Sequence, residues 1–160
     1  MSKKKSILLL GGSAHQVPAI EVAKRLGYRT VLCDHLPDNP VQFVADVFYQ
    51  ESTVDRQKML QIAIDEQVSG VLAFGTGVAA PTAAYVAEQL GLPGNPLPSV
   101  EVLSNKSLFR PYLAKHGFNC PKAVFFPKES TVGEAMSLCE GMALSVIMKP
   151  TDSSGSRGVT

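Results

Sequence analysis

Val146-Ile147-Met148-Lys149-Pro150 runs straight into Thr151-Asp152-Ser153-Ser154-Gly155-Ser156-Arg157-Gly158-Val159-Thr160. The apolar residues predict a strand over 144–148 that delivers Lys149 at its end. The loop that follows is rich in Ser and Gly and carries Arg157. Backbone N–H groups and hydroxyls of such a loop can fold over a polyphosphate, with two cations close by. A lysine that closes a strand of Val, Ile and Met is either a strand end emerging into water or a ligand for an anion. The sequence stops directly after this loop, so no returning strand is expected within it. The chain therefore reads as the front part of a larger nucleotide-using protein.

Upstream, short apolar runs alternate with helical patterns. Residues 7–10 form a continuous apolar run ending in Gly11-Gly12, as expected of a strand buried on both faces. Residues 18–26 carry Val17, Ile20, Val22, Ala23 and Leu26 at near-helical spacing, with Gly27 as the stop. Strands are expected over 29–34, 46–50 and 71–74. Helices are expected from the Asp55 cap to residue 67, with Met59, Ile62, Ala63 and Glu66 on one face, and over 81–90. Strands alternating with helices of this length imply βαβ units and a parallel sheet.

The pattern breaks at Gly91-Leu92-Pro93-Gly94-Asn95-Pro96-Leu97-Pro98, where Pro and Gly crowd together. We place a domain boundary there, giving residues 1–95 and 96–160. Beyond it, short helices are expected over 100–103 and 106–116, a strand over 123–126 and a helix over 131–140 capped by Ser130 or Thr131.

Composition excludes several classes. The 160 residues are 45% hydrophobic and 18% charged with a net charge of +1, so nothing general points to nucleic acid or a membrane surface. Lys3-Lys4-Lys5 reads as a frayed terminus. The apolar run after it is shorter than the roughly 7–15 residues of a signal-peptide core, and no stretch approaches the roughly 20 of a membrane span. Cys33, Cys120 and Cys139 are odd in number and lack metal-ligand spacing, so they are expected as reduced thiols in the cytoplasm.

Gly11-Gly12-Ser13 closes the first strand and Gly75-Thr76-Gly77 closes the fourth. In an open parallel sheet both loops lie on the edge that binds ligands. Each is an anion or carboxylate cradle, with glycines admitting the ligand to backbone N–H groups, or a tight turn that needs glycine for its φ angle. A full G-x-G-x-x-G dinucleotide fingerprint is absent, since Ala14, His15 and Gln16 occupy the following positions. Asp34, about 20 residues further on, nevertheless keeps a ribose-binding acid and an NAD(P)-dependent oxidoreductase domain open. A non-catalytic module that senses a small anion is a further alternative. Lys106 opens a helix in Ser104-Asn105-Lys106-Ser107-Leu108-Phe109-Arg110 and would, alone, be a surface lysine.

Two lysines, one opening a helix and one ending a strand just before a Gly-rich loop, resemble the ATP-grasp superfamily. The similarity is greatest to the branch of the carbamoyl-phosphate synthase large subunit, biotin carboxylase and related carboxylate–amine ligases. The resemblance implies a Rossmann-like domain preceding the truncated first part of an ATP-grasp domain. It implies that Lys106 and Lys149 contact the phosphates of ATP, that Ser153, Ser154, Gly155, Ser156 and Gly158 close over them, and that Lys149 and Arg157 neutralise the transferring phosphoryl group. Gly11, Gly12, Ser13, Gly75, Thr76 and Gly77 would form the substrate side. The cofactors implied are ATP and Mg2+, with the metal ligands and the adenine pocket beyond this chain, and the chain alone is expected to be inactive. Implied partners are a small-molecule carboxylate and a nucleophile, with a possible homodimer.

Overall fold

The computed structural model describes residues 4–142, 145–153, 155 and 158–160. Its first compact unit runs to Ser104 and its second is Asn105–Thr160. The first unit contains β1 (Ser6–Leu10), α1 (Val17–Arg25), β2 (Arg29–Asp34), β3 (Val47–Gln50), α2 (Arg56–Asp65), β4 (Val68–Leu72), α3 (Ala80–Gln89) and α4 (Leu97–Ser104). Two single 3-10 turns, Ala14–Gln16 and Pro40–Phe43, precede α1 and β3. The sheet is parallel throughout, in the order β3-β2-β1-β4. This is the open α/β architecture that the alternating pattern implies.

Both faces of the sheet are covered, which is why β1 and β2 read as continuous apolar runs. Leu8, Leu10, Val31 and Cys33 face one way and pack with Met59, Ile62 and Ala63 of α2 and Val86 of α3. Leu9 and Leu32 face the other way and pack with Ile20 of α1 and Val41. On α1 only the Ile20–Ala23 stripe is buried; Val22 and Leu26 are exposed. Burial pushes the Cys33 thiol up to about 12, so it is an inert core residue. Asp55 caps α2 by accepting the Lys58 N–H at 3.0 Å.

β4 spans Val68–Leu72, so it both begins and ends earlier than the expected 71–74. Ser69 and Gly70 have no apolar side chain to mark a strand, but the Ser69 hydroxyl donates to the Ser6 carbonyl at 2.9 Å. The strand passes this point as an irregularity, with Ser6 opposite Val68 and Leu8 opposite Val71. α4 packs against α3, and Arg56 of α2 donates to Glu101 of α4 at 2.9 Å. The unit division thus follows α4, whereas the Pro/Gly-rich run precedes it.

Two polar clusters pin the sheet to its flanking helices. Glu66, just past α2, accepts from the guanidinium of Arg29 and from the Tyr49 hydroxyl, and holds that phenol up at about 12. Asp46 accepts from the N–H and the hydroxyl of Thr30, both at 2.8 Å, and pairs with Lys24 at 3.0 Å. Partial burial pushes the Asp46 carboxyl up, but these partners outweigh it and hold it at about 2. Its folded value lies below the ordinary value of about 3.9. Its stabilisation is therefore complete above about pH 4 and lost as pH falls toward 2. Half-exposure screens the Lys24 contribution. In acid titrations followed by circular dichroism, Asp46→Asn is expected to flatten the loss of stability between about pH 4 and 2.

The second unit contains α5 (Lys106–Lys115) and α6 (Val132–Leu138). Thr131 caps α6 and forms a capping box with Glu134. Neither 123–126 nor 145–148 forms a strand among the described residues, contrary to expectation, and Leu144 lies outside them. A strand needs a ladder partner as well as apolar residues. The side chains of Val146, Ile147 and Met148 are all more than half exposed. No returning strand forms among the described residues after the Ser/Gly loop, but one backbone pair does. Thr160 and Met148 exchange both backbone hydrogen bonds, at 2.8 and 2.9 Å, as an antiparallel pair does.

Candidate active site

Strand order reverses between β1 and β4, and ligands of open α/β sheets bind at such a switch point. Gly11-Gly12-Ser13 and Gly75-Thr76-Gly77 leave the carboxyl ends of these two strands. Gln16 joins them, donating from Nε2 to the Phe74 carbonyl at 3.0 Å. Gln16 is buried, and its Oε1 accepts from both the N–H and the hydroxyl of Ser13 at 2.6 Å. The Ser13-x-x-Gln16 spacing of a capping box was the signal for this role in the sequence.

The two loops differ in what they can offer an anion. Gly11 donates its N–H to the Cys33 carbonyl at 2.9 Å, Gly12 to Asp34 Oδ2 at 2.6 Å and Ser13 to Gln16. All three amides of the first loop are therefore engaged within the chain, and they are not the free donors that an anion cradle requires. The glycines are packing positions instead. A Cβ on Gly12 would lie 2.5 Å from Asn39 Oδ1, and Gly11 has φ +105° beside the Gln16 amide. The amides of Gly75, Thr76 and Gly77 have no hydrogen-bond partner among the described residues, and Gly75 takes φ +64°. If the edge holds an anion through backbone donors, this second loop supplies them.

Asp34 is buried and already committed. Besides Gly12 it accepts from the Leu36 N–H at 2.8 Å, and His35 Nδ1 lies 3.6 Å away. The carboxylate that a ribose reading requires is thus bonded to two backbone donors of its own chain. His15 lies in the 3-10 turn after Ser13.

In the second unit the structure brings together two residues that lie far apart in sequence. Lys106 opens α5, capped by Asn105, whose Oδ1 accepts from the N–H and the hydroxyl of Ser107. The Lys106 N–H donates to the Thr151 carbonyl at 2.9 Å. Its Nζ donates to the Ser153 carbonyl at 2.9 Å and lies 3.4 Å from that of Thr151. The helix-opening lysine is therefore in contact with the residues that follow Lys149 and Pro150. Lys149 itself is exposed and has no hydrogen-bond or ion-pair partner among the described residues. Gly155 and Gly158 both adopt positive φ, and Ser154, Ser156 and Arg157 lie outside the described residues.

Charge follows the same division. Residues 105–160 carry seven Lys and Arg against four Asp and Glu, while residues 1–104 carry eight against ten. The near-neutral total conceals a basic second unit. Among the described residues no group of three or more His, Cys, Asp or Glu could hold a metal ion, and no helix is long and apolar enough to cross a membrane.

Solved structures share this fold across almost the whole chain. Phosphoribosylglycinamide synthetase from Anaerococcus prevotii superposes with a TM-score of 0.70 at 21% identity, over 94% of this chain and 38% of that one. The biotin carboxylase domain of the Hydrogenobacter thermophilus 2-oxoglutarate carboxylase, solved with MgADP, ADP and bicarbonate, gives 0.71 at 17%, over 100% and 38%. N5-carboxyaminoimidazole synthetase from Staphylococcus aureus, complexed with ADP, gives 0.67 at 19%, over 98% and 41%. The chain shares its fold with part of each of these enzymes. It spans about two fifths of the length of these ATP-grasp structures. No protein-family model and no curated protein matches the sequence.

Proposed function

We propose that the whole protein is an ATP-dependent ligase that joins a carboxylate to an amine or a related nucleophile. On this reading the second unit carries part of the phosphate site and the first unit part of the substrate side. The observation that carries it is the contact of Lys106 with the Thr151 and Ser153 carbonyls, in the segment that follows the other lysine singled out by the ATP-grasp resemblance. An exposed lysine without a partner among the described residues fits a polyanion, and so does the positive balance of residues 105–160. Two of the similar structures are described with ADP, one of them as its magnesium salt.

A carboxylate is a poor electrophile because neither oxygen leaves readily. A carboxylate oxygen attacks the terminal phosphorus, the bond to ADP breaks, and an acyl phosphate results. The amine then attacks the acyl carbon, the C–O bond breaks, inorganic phosphate departs and the nitrogen loses its proton. Bound ATP with Mg2+ supplies the phosphoryl group, and the metal ligands are expected outside this chain. The chain's own part is to position reactants and balance charge. Lys149 offers three N–H donors to the phosphoryl oxygens, with Arg157 as the second cation. Ser153, Ser154, Gly155, Ser156 and Gly158 cover the phosphates and exclude water. Gly75, Thr76 and Gly77 offer their amides to the substrate carboxylate, and Gly11, Gly12 and Ser13 form a fixed wall beside them. A homodimer in the cytoplasm is the proposed setting, since one similar biotin carboxylase domain is described as a dimer.

The NAD(P) reading is the weaker one, because Asp34 and all three amides of the first glycine loop are already bonded within the chain. The test is whether the full-length protein releases ADP only when a carboxylate and a nucleophile are both present.

A further inference from the structure

Lys106 stands where local rules disfavour it. The start of a helix carries partial positive charge, and a cation there is destabilising. Asn105 already caps α5, so Lys106 contributes nothing to capping. A residue that breaks a local rule is compensated elsewhere. Here the compensation comes from the carbonyls of Thr151 and Ser153, contacted by the ammonium of a half-buried residue, while Lys149 is an exposed one.

We propose that Lys106 is a positioning residue that clasps the segment following Lys149 and sets its backbone direction before any nucleotide arrives. Backbone and side chain of this one residue act on the same stretch. The Lys106 N–H fixes the Thr151 carbonyl, and Nζ draws in the Ser153 carbonyl. In a planar trans peptide the N–H points opposite to the C=O. Turning the Thr151 carbonyl toward Lys106 therefore turns the Asp152 N–H away from it, as a donor of fixed direction. The Met148–Thr160 backbone pair brackets the same stretch in sequence. Labour is then divided between the two lysines. Lys106 commits its donors mainly to carbonyls and orders the loop, and Lys149 keeps all three for an anion.

The clasp is a property of the chain without ligand; only its consequence for ATP rests on the ligase reading. Amine labelling of the nucleotide-free chain, read by mass spectrometry, is expected to modify Lys149 readily and Lys106 slowly. Equal labelling of the two overturns the clasp without recourse to any variant. In Lys106→Met, hydrogen exchange at the amides of residue 106 and Thr160 is expected to rise about tenfold, while α6 keeps its protection. Lys106→Arg, which retains donors, restores the slow exchange. Unchanged exchange in Lys106→Met also overturns the proposal. In the full-length protein the KM for ATP rises in Lys106→Met and recovers in Lys106→Arg. Slow labelling and rescue of exchange without any ATP turnover would leave the clasp standing and remove the ligase reading.

Discussion

Lys149→Ala is expected to lower ADP release by the full-length protein by about a hundredfold to a thousandfold, the effect of removing one preorganised donor from a developing anion. Lys149 meets the physical conditions for such a loss. It is exposed, it has no partner among the described residues, and it enters the segment that Lys106 holds. Its contribution to folding is therefore small, and the loss falls on chemistry. The KM for ATP is expected to change less than kcat, because charge on the transferring group grows toward the transition state. Lys128, another exposed lysine of the second unit, serves as the control, and Lys128→Ala should retain full turnover. Equal activity of Lys149→Ala and the wild type removes this lysine from the site.

Asp34→Ala should have the largest effect on stability. Its carboxylate is buried and accepts from the Gly12 and Leu36 amides at 2.6 and 2.8 Å, tying the loop after β1 to the end of β2. Hydrogen bonds to a charged group contribute about 1.5–3 kcal/mol each, and the truncation strands the Gly12 N–H. The two losses overlap, so about 3 kcal/mol is expected, or about 15 °C in the melting temperature of a unit this size. Thermal unfolding followed by far-UV circular dichroism measures it. Asp34→Asn keeps one acceptor oxygen and is expected to lose roughly half as much. A melting temperature unchanged in Asp34→Ala would free this carboxylate for a ligand and revive the ribose reading.

The sheet was legible because burial on both faces leaves an unmistakable mark. Ile7 to Leu10 and Val31 to Cys33 are apolar without alternation, and the residues between β3 and β4 carry a cap and a buried stripe at Met59, Ile62 and Ala63. β4 lies earlier than the apolar run 71–74 suggests, because hydrogen bonding across the sheet carries the strand through Ser69 and Gly70, which have no apolar side chain to mark it. The strands expected over 123–126 and 144–148 show the converse limit. Apolar composition proposes a strand, but pairing creates it, and pairing partners lie outside any local window. The resemblance placed Lys106 and Ser153 around the same phosphates, whereas a direct contact of Lys106 with the Thr151 and Ser153 carbonyls was not legible at all. Backbone acceptors carry no residue signature. The same blindness hid the engagement of Gly11, Gly12 and Ser13: two glycines before a helix look like an anion cradle, yet Asp34 and Gln16 had already claimed two of the three amides.

The most direct test of the ligase account is the release of ADP by the full-length protein, measured with MgATP while a panel of carboxylates and amines is supplied together and then one class at a time. The account predicts rapid release only for a matched carboxylate and nucleophile together, and no binding of NAD(H) or NADP(H) at millimolar concentration. No release with any pair, accompanied by saturable binding of a nicotinamide cofactor, would contradict it.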